Sequence, residues 1–216
     1  ARDDNDNMHA FRTIPIGLVS ANPLVKGHIA AGSEIDMDVL RAELRRMNEY
    51  GLPIRLTIDP EVTLLEAQHK QTEAVKDLVE RIGSTGKGIG AARARRLGDA
   101  PDLVAELQAA GVGVEELNLD DLKGNTHVVI EGTQGFGLGL HTGFYPQCTS
   151  SDTRAIDFLA MAGISPWDPA FKYGKFHVWV VLRPFPIRVA GNSGPLLGET
   201  TWDELGLPEE RTTVTK

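Results

Sequence analysis

Short apolar runs of strand length alternate with amphipathic runs of helix length along much of this 216-residue chain, and that alternation restricts its fold more than any other feature. Val25 to Ala31 is mostly apolar and closes on Gly32-Ser33, which predicts a buried strand and a turn. Asp36 is placed to cap a helix. Met37, Leu40, Leu44 and Met47 then recur at spacings of three and four, with Arg41, Arg45 and Arg46 on other faces, so an amphipathic helix is expected to stop near Gly51. Ile54 to Ile58 alternates and reads as a strand ended by Asp59-Pro60. Leu64 to Ile82, Ala91 to Leu97, Pro101 to Ala110 and Ala155 to Ala162 read as helices, the third with proline at a tolerated first-turn position and the last stopped by Gly163. Thr126 to Glu131, with Val128-Val-Ile130 at its centre, and Phe176 to Leu182 read as buried strands. The expected fold is α/β, a layered mixed sheet with flanking helices, in a single domain over 1–216, since no linker divides it. Residues 1–9 read as a disordered lead.

Composition narrows the partners. With 41% hydrophobic and 24% charged residues, a chain of this length can bury a real core without disulfide or metal staples. Its net charge of −8 gains nothing from counterion release on a polyanion, so nucleic acid is not an expected partner. A local nest of amides can still bind a small anion whatever the global charge. The single cysteine, Cys148, allows no internal disulfide, which fits a reducing, cytoplasmic location. The longest apolar stretch has the length of a strand, not of a membrane span, and the polar, acidic start is unlike a signal peptide. The chain opens on Ala1 with no initiator methionine, so a trimmed or partial chain is expected.

Three glycine-rich loops are the candidates for chemistry. Gly83 to Gly90 lets successive amides turn toward one point, and a following helix N-terminus and Lys87 would add positive charge. It fails the phosphate-loop pattern, because Gly88 follows the lysine and Arg81 stands where the first glycine belongs, so a plain helix–helix turn remains the alternative. Glu131-Gly-Thr-Gln-Gly-Phe-Gly137 follows an expected strand, where ligands of α/β proteins gather. Gln134 offers a donor and an acceptor and Glu131 can orient a neighbour; a structural turn with a solvated glutamine is the alternative. Arg188 to Pro195 offers a guanidinium for an anion, or an ordinary surface loop. The six histidines show no zinc-type spacing, Ser150-Ser151 lacks a nucleophile elbow, and Cys148 reads as a small buried hydrophobe.

Taken in order, these segments resemble the adenylosuccinate synthetase family. Ile82-Gly-Ser-Thr-Gly-Lys-Gly-Ile-Gly-Ala91 is similar to the family's IG(S/T)TGxGIGPA loop. Glu131 to Leu138, Tyr145-Pro146 and Thr149-Ser150-Ser151 resemble its EGxQG and YPxVTS segments. Pro186 to Pro195 resembles its IRVGxxSGP loop, and Thr212 to Lys216 the start of its aspartate-binding loop. The resemblance runs from about Met8 to the last residue and includes short phage-encoded relatives as well as the archaeal branch.

That resemblance implies a fold related to the phosphate-loop nucleotide hydrolases. It implies a ligase of purine nucleotide biosynthesis that joins L-aspartate to a 6-oxopurine nucleotide, turning IMP into adenylosuccinate with GTP hydrolysis. The phosphoryl group makes the purine oxygen a leaving group, which aspartate displaces. Phage relatives act instead on dGMP, with ATP; a catalytically dead nucleotide-binding remnant is the further alternative. By position, Ser84, Thr85, Gly86, Gln134, Thr149 and Arg188 would contact nucleotide, and Thr213 and Thr215 would lie in the aspartate loop. Arg95 or Arg96 falls nearest the arginine that crosses the family's homodimer interface. The family's aspartate base and magnesium ligand align ahead of residue 1, its acid histidine ahead of Met8, and its aspartate-loop arginines beyond Lys216. No catalytic or metal residue is therefore assigned within the chain, although Mg2+ and GTP or ATP are implied for the reaction. Ala91 stands where the family has proline.

Overall fold

The computed structural model describes residues 1–3, 5–66, 96–122, 127–142, 145–168, 176–182, 200 and 204–206. They fall in two compact units. The first comprises Ala1–Glu66, Ala92–Glu131 and Ile156–Gly174, and the second Ala67–Ala91, Gly132–Ala155 and Lys175–Lys216.

The first unit is built on parallel strands. β1 (Gly27–Ile29), β3 (Leu56–Ile58) and β5 (Gly113–Val114) form one sheet in that order, and β2 (Glu34–Asp36) pairs with β4 (Thr63–Leu65) in a second. The registers are parallel throughout, Ile29 opposite Ile58, Ile58 opposite Val114, and Ile35 opposite Leu64. Parallel neighbours need long crossovers. Helix α1 (Met37–Glu49) lies in the connection from β1 to β3, and α2 (Pro101–Ala109) in that from β3 to β5.

The local chemistry of α1 is legible residue by residue. The Asp36 side chain accepts from the Asp38 amide at the N-cap, and the chain leaves the helix through Gly51 at φ +66°. Met37, Leu40, Leu44 and Met47 are buried in one core with Leu18, Ile35, Leu56, Ile58, Val62, Leu64, Leu97 and Leu107. Arg41 joins α1 to α2 through a bidentate pair with Glu106, at 2.6 and 2.8 Å, which holds the Glu106 carboxyl below its usual range. Both side chains are partly exposed, so the pair adds at most about 1 kcal/mol. α3 (Ala155–Met161) ends at Gly163, φ +70°, and lies against Gly32 so closely that a Cβ there would stand 2.4 Å from the Met161 Cβ.

Several expectations are corrected. Residues 1–3 and 5–9 are tied by hydrogen bonds, where a disordered lead was expected over 1–9. Arg2 bridges Met8, and the Asp3 carboxylate accepts from the amides of Asn5 and Asn7, from the Asn7 side chain and from His9 Nε2 at 2.9 Å. The His9 contact above all holds the Asp3 carboxyl down at about 2. Polar composition suggested disorder, but the Asp3 carboxylate gathers these donors, although the buried His9 Nδ1 meets no partner among the described residues. Leu64 and Leu65, expected to begin a helix, lie in strand β4, because Thr63–Leu65 finds a parallel partner in β2. The rest of that expected helix, from 67 on, lies outside the described residues. Arg96 bridges Thr63 instead of ending a helix, and 91–95 lie outside the described residues.

The two strongest expected strands also fail to form. Residues 127–131 and 176–182 carry no regular element and belong to no ladder, with Val129 82% and Val181 93% exposed. A strand exists through its neighbours, and among the described residues no β-ladder or bridge includes either segment; propensity alone does not make a ladder. The strands β2, β4 and β5 were not legible: β2 runs straight into α1, β4 opens the run read as helical from Leu64, and β5 has only two residues.

Candidate nucleotide-binding loop pair

In the second unit, the Gly132 loop and the Thr149 segment are knitted together by backbone hydrogen bonds. The Leu138 amide donates to Gly135 O at 2.8 Å, closing a 3-10 turn at Phe136–Leu138. Leu138 O accepts from the Thr149 amide at 2.7 Å, and the Leu140 amide donates to Ser151 O at 3.1 Å. Thr153 Oγ1 reaches back to Gly135 O at 2.9 Å. Gly139 sits at the crossing; a Cβ there would stand 3.1 Å from Thr142 Cγ2 and from Thr153 Oγ1. A cis Tyr145–Pro146 bond lies in the connection.

This arrangement presents Gln134 in an unusual way. Its φ is +68°, a left-handed conformation that costs a non-glycine residue roughly 1–2 kcal/mol, and its side chain is exposed. Such outliers gather where a loop is held for function rather than for stability. Thr149 is fixed by its own amide and partly buried. Sequence-expected residues Gln134 and Thr149 thus belong to one hydrogen-bonded loop pair. Ser84, Thr85, Gly86, Arg188, Thr213 and Thr215 lie outside the described residues, as does Arg95. Arg96 is engaged within the first unit, with Nη1 on Thr63 Oγ1 at 3.0 Å and Nε 3.5 Å from Glu61.

One feature of the loop pair escaped the sequence reading. Asp152 grips His141 twice, accepting from its amide at 3.0 Å and from Nδ1 at 2.8 Å. The His141 side-chain bond is the main reason the Asp152 carboxyl is held below its usual range. The residues are eleven apart, a separation that no short motif marks. Burial, then the nearby Asp152, pushes the Cys148 thiol above its ordinary value, which disfavours the thiolate a nucleophile needs.

The parallel sheet of the first unit carries a second polar group at the carboxyl ends of its strands. Asp59 is buried and accepts from the Glu61 amide at 2.8 Å. His28 Nδ1 is hydrogen-bonded to Thr57 Oγ1 at 2.7 Å, while its buried Nε2 meets no partner among the described residues. Burial holds the His28 pKa below the ordinary 6.5, against the pull of Asp59 and Glu115. A histidine depressed in the folded state contributes stability above its unfolded pKa, which is lost as the pH falls through that value. Between pH 7 and 5 the thermal midpoint should therefore drop, and His28→Gln should flatten the slope; an unchanged slope would count against this assignment. Among the described residues no group of three or more His, Cys, Asp or Glu could hold a metal ion, and no helix is long and apolar enough to cross a membrane.

Parallel α/β folds gather their ligands at the loops that follow their strands. Comparison with known proteins makes the class specific. The sequence profile of adenylosuccinate synthetase matches residues 3–100. Curated adenylosuccinate synthetases from Pyrococcus horikoshii and Methanocaldococcus jannaschii are each 34% identical, over 95% and 93% of this chain and 60% and 57% of their own. The succinoaminodeoxyadenylate synthetase of cyanophage S-2L, solved with dGMP and with dATP as an energy donor, matches 98% of the chain and 63% of its own length, with TM-score 0.72 and 26% identity. The fully ligated adenylosuccinate synthetase of Plasmodium falciparum shares the fold, with TM-score 0.56 and 21% identity over 76% of this chain and 49% of its own. The chain belongs to the adenylosuccinate synthetase family. It spans about 60% of the length of the curated relatives it matches.

Proposed function

We propose that this chain is the purine-nucleotide-holding portion of a ligase that joins L-aspartate to a 6-oxopurine nucleotide, IMP, to give adenylosuccinate at the expense of GTP. The observation that carries this reading is the Gln134–Thr149 loop pair, which has the family's sequence and holds a glutamine in a left-handed conformation with its amide exposed. A glutamine amide donates and accepts at once, which suits a purine nucleotide's mixed edge, and a threonine hydroxyl suits a phosphate oxygen. The Gly83–Gly90 loop, with Ser84, Thr85 and Gly86, together with Arg188, would add phosphate contacts, and Thr213 and Thr215 would face aspartate.

The described residues offer no cluster that fits magnesium, so no step is assigned to the metal within them. The reaction class itself relies on positioning and charge stabilisation, which these loops can supply without a nucleophile. A homodimer in the cytoplasm completes the proposal. A specific observation favours a second reading: the cyanophage neighbour was solved with dGMP and dATP, so dGMP with ATP is the rival substrate pair. Isothermal titration with IMP and with dGMP separates the two, since the reading predicts saturable binding of one and weaker binding of the other. Binding of neither would overturn it.

A further inference from the structure

The buried stripe of α1 holds one residue that does not belong there by composition. Glu43 lies between Leu40 and Met47 on the core-facing side and is itself buried. A carboxylate taken out of water is costly unless its oxygens are satisfied. Glu43 meets that demand with three backbone amides in a row. Oε1 accepts from Arg12, and Oε2 accepts from Thr13 at 3.1 Å and Ile14 at 3.0 Å. Three successive amides converging on one point form the kind of nest that elsewhere binds a free anion. Here the protein fills it with its own carboxylate, across some thirty residues of sequence, so the Arg12–Ile14 segment is held whether or not a ligand is present.

The held segment also meets the end of residues 127–131 within the first unit. Two residues beyond Ile14, the amide of Ile16 donates to Glu131 Oε2 at 3.5 Å, a long bond. Glu131 is the residue from which the Gly132–Gln134 turn departs. We infer that Glu43 and Glu131 are positioning residues: Glu43 fixes the 12–16 segment, that segment orients Glu131, and Glu131 sets the root of the turn that carries Gln134. The inference rests on the nucleotide-binding reading proposed above and assigns it a support that neither carboxylate's exposure nor the loop motif reveals.

The test is nucleotide affinity, measured by titration with whichever of IMP or dGMP the unsubstituted protein binds. Glu131 is exposed, so Glu131→Ala should leave the thermal midpoint nearly unchanged while weakening affinity about fivefold, the equivalent of one ordinary, long hydrogen bond. Glu131→Gln, which keeps an acceptor oxygen, should recover most of the loss. Glu43→Gln should weaken affinity to a similar extent and speed amide exchange at Arg12, Thr13 and Ile14. Leu44→Ala, a core change on the same helix, should lower the midpoint without changing affinity. Unchanged affinity in Glu131→Ala, or an equal loss in Leu44→Ala, would overturn the positioning role. Absence of binding by the unsubstituted protein would overturn the nucleotide reading, and the inference with it.

Discussion

Replacing Gln134 by alanine is expected to weaken purine mononucleotide binding about tenfold, which corresponds to about 1.4 kcal/mol. A side-chain amide that makes two good contacts to a ligand is worth about that much net, since each neutral hydrogen bond contributes about 0.5–1.5 kcal/mol after exchange with water. The fold should not suffer. Gln134 is exposed and its conformation is left-handed, so its side-chain amide adds little to packing. A glycine at the same position should lose the same affinity while relieving backbone strain, and so should raise the thermal midpoint slightly. Titration calorimetry and thermal melts on the two variants separate these effects. Affinity retained in Gln134→Ala would mean that the loop is only a turn.

The second large effect is expected at Leu40. It is fully buried on the inner face of α1, in the same cluster as Ile35, Met47, Ile58 and Leu64. Leu40→Ala removes methyl groups that the surrounding side chains cannot replace, and should cost about 2–5 kcal/mol in urea unfolding. Arg45, exposed on the opposite face, provides the comparison: Arg45→Ala should stay within about 0.5 kcal/mol. Equal effects at the two positions would contradict the assignment of the buried face.

How far the sequence could be read depends on what kind of signal each element carried. Helix α1 was legible because its cap, its apolar stripe and its glycine exit agree with one another. α2 and α3 were legible for the same reason, through Pro101 and Gly163. Strands were harder, because a strand is a statement about neighbours. Gly27–Ile29 and Leu56–Ile58 pair and were found; 127–131 and 176–182 have the stronger strand composition and stay unladdered. β2 and β4 are no shorter than β1 and β3, but each runs into a stretch with a helical pattern, which hides it.

The candidate site divides in the same way. Gln134 and Thr149 were visible as residues of ordered motifs, and the structure ties their loops together. The His141–Asp152 pair was invisible, since its members share no motif and meet only through the fold. Glu43 left a trace that could have been read. It stands three residues after Leu40 and four before Met47, so it falls on the apolar stripe, where an unexplained carboxylate asks for a buried partner.

The most direct test of the central claim is product formation by the purified protein with L-aspartate, magnesium, and GTP or ATP, with IMP and dGMP supplied side by side. The account predicts a succinyl-nucleotide from IMP with GTP, abolished or strongly reduced in Gln134→Ala. Product from dGMP with ATP alone would transfer the protein to the substrate pair seen in the cyanophage relative. No product from either, despite nucleotide binding, would contradict the ligase reading and leave a protein that binds the purine without acting on it.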